Sequence, residues 1–311
     1  MAERGPGRTG RLGAGWLVSA RGSAVPILTV LAVLLAVWYL AAIALNAPMA
    51  RGAAERAGAP LSGLALVEAT LTQERPRLPA PDQIVAEVWK TTVETRPTSK
   101  RSLVYHSWIT LAATLTGFAL GAALGVLLAI GIVRDRTMDA SVMPWVIASQ
   151  TIPILAIAPM IIVVLNSIGV TGLLPKALIS MYLSFFPVVV GMVKGFRSPD
   201  RMLLDQMRTW NATAGQTFRA LRWPASVPYL FASLKIAAAA SLVGAIIGEL
   251  PTGAVAGLGA RMLSGSYYGQ TVQIWSALFM AALLASLLIA VIGLVERLVA
   301  RAMGARPEGA R

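Results

Sequence analysis

Long apolar runs separated by short basic segments set the pattern of this chain. Val25–Leu45, Ile109–Val133, Val142–Ile168, Ala177–Val193, Phe231–Leu250 and Ile274–Val295 are the six. A helix needs about 20 apolar residues to cross a ~30 Å hydrocarbon layer, so the pattern predicts an all-α polytopic membrane protein with six transmembrane helices. The third run is interrupted by Pro153 and Pro159. The fourth is short and contains Pro187, with Lys176 and Lys194 placed to snorkel from its ends.

One polar stretch stands out among these runs, "LLDQMRTWNATAGQTFRALRWPASVPYLF" from Leu203 to Phe231. Leu203, Met207, Trp210, Ala214, Thr217, Phe218 and Leu221 recur every three or four residues, the stripe of an amphipathic helix. Asn211, Ala212, Thr213 and Gly215 predict a turn between two short helices, and Pro224 is expected to stop the pattern. Such an element either lies on a lipid surface or docks into the groove of a soluble partner.

Charge orients the spans. With both termini on the cytoplasmic side, sixteen basic residues fall inside: Arg4, Arg8, Arg11 and Arg21; Arg134 and Arg136; six between Lys194 and Arg222; and Arg297, Arg301, Arg306 and Arg311. Arg261 is the basic residue of the short outside loops. The longer segment between spans one and two carries eight basic and six acidic residues. Loops of that length weigh less in the positive-inside rule, which favours both termini in the cytoplasm. The first apolar run is longer than a signal-peptide core and reads as an uncleaved anchor. The organisation expected is a basic N-terminus (1–24), a first span (25–45), and an extracytoplasmic loop (46–106) whose "LPAPDQIVAEVWKTTVE" forms a short amphipathic helix. A five-span core (107–299), with a cytoplasmic loop at 197–228, and a tail (300–311) complete it.

Composition narrows the function. Of 311 residues 56% are hydrophobic and 13% charged, about half the charge of a soluble domain. The net charge of +13 is spread between apolar runs, not gathered on a soluble module, so it marks topology and not nucleic-acid binding. There is no cysteine and one histidine, His106, which excludes disulfides, thiol chemistry and cysteine-based metal sites. No phosphate-binding G-x-x-x-x-G-K-[ST] loop is present, nor an H-E-x-x-H or G-x-S-x-G motif.

Several features inside the spans are candidates for packing or passage. Gly117, Gly121 and Gly125 share one helical face and predict close approach of another helix, by general packing or at a dimer seam. Gln150 and Thr151 precede Pro153, a polar break that marks either a local kink or a translocation pathway. Glu249 ends the fifth span, where it can face a cavity, pair with a partner subunit, or cap the turn that follows. Lys235 is expected to snorkel to the surface.

Anchored on Pro224, the polar stretch resembles the cytoplasmic loop of the permease subunits of binding-protein-dependent ABC importers, E-A-A-x-x-x-G, nine residues, then I-x-L-P. Asp205, Gln206 and Met207 stand at the E-A-A positions, Asn211 at the glycine, Leu221 at the isoleucine and Trp223 at the leucine. The spacing matches, while most identities depart. "PWVIASQTIPILAIAP" and "RWPASVPYLFASLKIAAAASLVGAIIGEL" also resemble the nitrate/sulfonate/taurine-type branch, over approximately Ser107 to Val299. "GELPTGAVAGLGARML" is similar to permeases for vitamin precursors such as pyrimidines or riboflavin.

The resemblance implies the MetI-like permease fold, a membrane dimer of two permease copies, ATPase subunits that hold ATP-Mg, and an extracytoplasmic solute-binding protein. It implies no cofactor and no catalysis in this chain. The loop becomes the ATPase-coupling element, carried by Asp205, Gln206, Met207, Trp210, Asn211, Gly215, Phe218, Leu221, Trp223 and Pro224. The pathway is assigned to Gln150, Thr151, Pro153 and Glu249. If the family's glycine is left-handed, asparagine is the side chain best suited to replace it. A gradient-driven transporter or a membrane enzyme are the rival classes.

Overall fold

The computed structural model describes residues 15–58, 62–250 and 256–304, with side chains from residue 25 onward. The basic residues Arg4, Arg8, Arg11, Arg306 and Arg311, and the segment 251–255, lie outside the described residues, as does the Arg21 side chain. Every regular element among the described residues is helical. The chain forms two compact units, residues 1–85 and 86–311.

In the first unit, α1 (Gly15–Arg56) runs well past the expected end at Leu45 and keeps Pro48 within it. From Val25 to Leu40 most of its large apolar side chains are exposed, as lipid contact requires. Beyond that lies Asn46, fully buried. Its amide donates to the carbonyls of Thr70 (3.3 Å) and Leu78 (2.9 Å) and its oxygen accepts from the N–H groups of Arg77 (2.8 Å) and Leu78 (3.2 Å). Trp38 Nε1 donates to the Pro79 carbonyl at 3.0 Å. The expected loop is therefore folded here, with α2 (Gly63–Leu71) and the turns after it pinned to α1 by one asparagine whose donors and acceptor are all used.

Helix α3 (Pro81–Trp89), where the units divide, continues into a π-helical turn (Lys90–Glu94), the span of the expected amphipathic helix. Three helices then make the body of the second unit: α4 (Leu103–Arg134), α7 (Leu173–Phe196) and α10 (Trp223–Glu249). Gly117, Gly121 and Gly125 all face α7 of the same chain, where an added methyl would strike Ser180, Ser184 and Val188. On the third side, Gly244 rests on the Ser180 backbone and Gly248 on Lys176. Hydroxyls lock the contact: Ser180 Oγ donates to the Ser241 carbonyl at 2.8 Å, and Ser241 Oγ to the Thr114 carbonyl at 2.7 Å. Small residues bring the backbones close, which in lipid substitutes for the absent hydrophobic drive between helices. Ile132, Val146, Val188, Met192 and Phe196 fill the adjoining apolar core.

The expected third span is two helices, α5 (Arg136–Ser149) and α6 (Ile154–Ser167), bent by 97° at residues 150–153. Only Pro153 breaks the chain; Pro144 and Pro159 lie inside the helices. At Pro153 the missing N–H coincides with polar Gln150 and Thr151, whereas at the other two the flanking residues carry the helix through. The fourth span is longer than expected, 24 residues, because α7 begins at Leu173 and keeps both Lys176 and Pro187. Helices α8 (Arg201–Thr209) and α9 (Ala214–Thr217) form the polar loop, and α11 (Leu258–Tyr267) and α12 (Thr271–Ala302) close the chain. Among the described residues, five helices are long and apolar enough to cross a membrane, and the bent pair makes a sixth if it is one span.

Candidate coupling loop and polar clamp

The loop begins where Asp200 caps α8, its carboxylate accepting the Met202 N–H at 3.4 Å. Strongly amphipathic as it is, α8 buries none of its residues: Met202 is 77% exposed and Trp210, just after it, 66%. Asp205 pairs with Arg208 at 2.9 Å on an open surface, so the bridge is weak. Gln206 is exposed and Met207 half-buried.

Asn211 is the one non-glycine residue at positive φ among the described residues, at 51°. Its N–H donates to the Arg208 carbonyl (2.8 Å) and the next N–H, Ala212, to Met207 (3.0 Å), the paired bonds that end a helix at a left-handed residue. Thr213 then starts α9 in a reciprocal cap. Its N–H donates to Gln216 Oε1 at 2.8 Å and its hydroxyl accepts the Gln216 N–H at 3.3 Å. That T-x-x-Q signal was legible in the sequence. Gly215 has open space around it.

Pro224 does not stop the helix. A π-helical turn (Phe218–Arg222) joins α9 to α10, with the Trp223 N–H donating to the Phe218 carbonyl. Proline is tolerated in the opening positions of a helix because it has no N–H to place there. Phe218 and Trp223 pack on Phe196, ring centroids 5.0 and 5.9 Å away. Phe218 thus faces its own fold, not outward with Trp210; Leu221 is half-buried beside it. Arg197 Nη2 holds Asp139 of α5 at 2.7 Å.

At the other end of α10, a set of side chains from three helices grips one short stretch of backbone. Glu249 is fully buried. Its carboxylate oxygens lie 3.0 and 2.9 Å from Thr110 Oγ1 of α4, and Oε2 accepts the Gly259 N–H at 2.9 Å. Thr110 Oγ1 also accepts the Leu258 N–H at 2.9 Å, and His106 Nδ1 accepts the Gly257 N–H at 3.0 Å. Lys176 Nζ of α7 donates to the Ala256 carbonyl at 3.0 Å and lies 3.9 Å from Glu249. Gly257, at φ 129°, leaves room for the carboxylate that any side chain there would strike. Of the roles expected of Glu249, the one seen is the cap of the turn that follows: its carboxyl group is enclosed by groups from α4, α7 and the segment it holds.

Thr110, Gly257 and Gly259 carried no signal in the linear pattern beyond two glycines spaced two apart, and Lys176, expected to snorkel, instead turns in to the Ala256 carbonyl. His106, isolated in sequence, has both ring nitrogens engaged, since Nε2 donates to the Lys100 carbonyl at 2.9 Å. Nearby in α11, Arg261 is buried, 3.5 Å from Glu87, with Nε unpartnered. Burial pulls its pKa below the usual guanidinium value, and Glu87 pulls it back up.

Gln150, Thr151 and Pro153 lie exposed at the α5–α6 bend, far in sequence and partners from Glu249. Thr151 Oγ1 donates to the Ala148 carbonyl at 2.8 Å, Ser149 Oγ to Val146 at 2.7 Å, and the Tyr182 hydroxyl to the Ser149 carbonyl. Hydroxyls thus satisfy carbonyls that the break sets free. Lys235 does not snorkel alone: its ammonium pairs with Glu296 of α12.

A polytopic chain, helical throughout its described regular elements, with an exposed amphipathic loop fused to the start of an apolar helix belongs to a known class. Residues 121–305 match the binding-protein-dependent transport system inner membrane component family, and the chain belongs to it. It is a multi-pass membrane permease. It is 31% identical over 224 residues to the riboflavin transport system permease protein RibX of Chloroflexus aurantiacus, covering 72% of this chain and 80% of that one. To the formylaminopyrimidine transport permease protein ThiX of Halalkalibacterium halodurans it is 32% identical over 182 residues, 58% of this chain and 68% of the relative. A chain of the MetNI methionine ABC transporter, in an inward-facing conformation, matches with a TM-score of 0.50 at 20% identity, covering 70% of this chain and 96% of that one. That likeness is one of fold.

Proposed function

We propose that this permease imports a small heterocyclic or anionic solute, with both termini in the cytoplasm. It works as a pair of permease copies with two ATPase subunits and an extracytoplasmic solute-binding protein. ATP-Mg is bound and hydrolysed in the ATPase partner; this chain is not an enzyme. The observation that carries the reading is α8 with its closing turn, an amphipathic helix with no fully buried residue that ends at Asn211 in a left-handed turn, after which α9 and a π turn run unbroken into α10. A helix in that state is built to lie in a partner's groove. Gln150 and Thr151, exposed at the bend, are the polar groups best placed to line the path.

The solute class rests on the riboflavin and formylaminopyrimidine relatives. The test is uptake into proteoliposomes that hold the permease, its ATPase and its binding protein, with labelled riboflavin and formylaminopyrimidine as probes. Uptake that requires enclosed ATP supports the reading. Uptake driven by a proton or sodium gradient without ATP overturns it.

A further inference from the structure

The polar clamp has no part in docking an ATPase, since it lies at the opposite end of α10. From Phe218 to Glu249 the helix runs unbroken for roughly 45–50 Å at 1.5 Å per residue. Past the π turn and Pro228 at its loop end, Ser233, Ser241, Gly244 and Gly248 pack it on α4 and α7 as one body. Glu249, at the end of that packed part, moves with the three-helix body.

What receives that motion is specified bond by bond. Ala256 O, Gly257 N, Leu258 N and Gly259 N are four successive backbone groups at the start of α11, and each is held by a side chain: Lys176, His106, Thr110 and Glu249. These come from α7, α4, α4 and α10. Generic packing does not need four directed bonds on four consecutive residues, nor an enclosed carboxylate, whose desolvation is costly unless it is fully satisfied. Leu258 is fully buried with Leu103, Ala277 and Ala281, so apolar contact alone already seats the start of α11. The added polar bonds fix its direction.

We propose that Glu249, acting through Thr110 and the Gly257–Gly259 backbone, is the positioning residue of an outer latch that makes α11 follow the α4–α7–α10 body. The inference rests on the reading of the α8–α9 loop as the ATPase dock. In it, ATP-driven motion at the loop becomes motion of α11 at the extracytoplasmic mouth. Thr110 is the joint, because its single hydroxyl contacts both the carboxylate and the backbone it steers.

The chain has no cysteine, so a single introduced thiol reports cleanly. The permease–ATPase complex carries bimane either at Tyr267→Cys, 72% exposed at the end of α11, or at Arg201→Cys, exposed at the start of α8 and off its apolar stripe. The emission change on trapping with Mg-ATP and vanadate is read at each site. In the parent both labels respond. In Glu249→Gln and Thr110→Val the α11 response falls at least five-fold while the α8 response stays within two-fold, and Thr110→Ser restores α11. Should Glu249→Gln fail to assemble, the Thr110 pair decides. An α11 response that survives in Thr110→Val overturns the latch. So does loss of both responses together in that variant, which marks a purely structural role. No α8 response in the parent overturns instead the docking reading beneath it.

Discussion

Thr110 and Glu249, 139 positions apart, share one buried contact: the threonine hydroxyl oxygen lies 3.0 and 2.9 Å from the two carboxylate oxygens. Valine at 110 keeps the shape and removes the hydroxyl, leaving a buried carboxylate and the Leu258 N–H each short of a partner. Such losses cost about 1–3 kcal/mol each. Thr110→Val is therefore expected to lower the thermal midpoint of the purified permease by several degrees, with Thr110→Ser close to the parent. Equal midpoints for all three would contradict the clamp.

Two glycines predict opposite outcomes. Gly121 backs onto Ser184 and the Phe185 N–H, so Gly121→Val must push α4 off α7; overpacking of this kind costs about 1–3 kcal/mol and often more. Gly215 lies in a helix with nothing near it, where Gly→Ala gains about 0.5–1 kcal/mol. Size-exclusion profiles of the two variants should show aggregated Gly121→Val and a monodisperse Gly215→Ala.

Asn211 separates backbone need from side-chain need. Its φ of 51° costs a β-branched side chain about 1–2 kcal/mol, and glycine nothing. Asn211→Gly should capture the ATPase as well as the parent, and Asn211→Val several-fold more weakly. Titration of the ATPase onto immobilised permease measures both.

The Lys235–Glu296 pair, each side chain about a third exposed, ties α10 to α12 away from the buried Ser276, Ala277 and Ala281 of α12. Either charge alone is stranded beside lipid, so Lys235→Met and Glu296→Gln should each lower the yield of folded protein. Exchanging the two, Lys235→Glu with Glu296→Lys, should recover it. Failure of the exchange to exceed the single variants would show that the pair does not matter.

Sequence reading found what depends on local order. Apolar runs located the spans, and the three- and four-residue spacing with the small residues after Trp210 anticipated two short helices joined by a turn, as α8 and α9 are. It misjudged what depends on how a helix accommodates a defect: Pro224 reads as a stop, yet a π turn carries the chain through, while Pro153 breaks it where Pro144 and Pro159 do not. It misplaced Phe218, because one stripe served two faces; the first half of the loop points outward and the second half packs on Phe196. It missed Asn46, and of the clamp it picked out Glu249, with capping of the following turn among its expected roles, but not Thr110 or the glycines. Most of the partners are distant, 24 positions between Asn46 and Thr70 and 151 between His106 and Gly257, and nothing in a linear pattern marks which threonine will meet which carboxylate.

The most direct test of the central claim is capture of the ATPase subunit by solubilised permease carrying Trp210→Asp or Met202→Asp, two exposed apolar side chains on the loop. Neither touches the core, so both variants should fold and elute like the parent. The account predicts at least a ten-fold loss of captured ATPase for each. Capture equal to that of the parent by well-folded variants would contradict it.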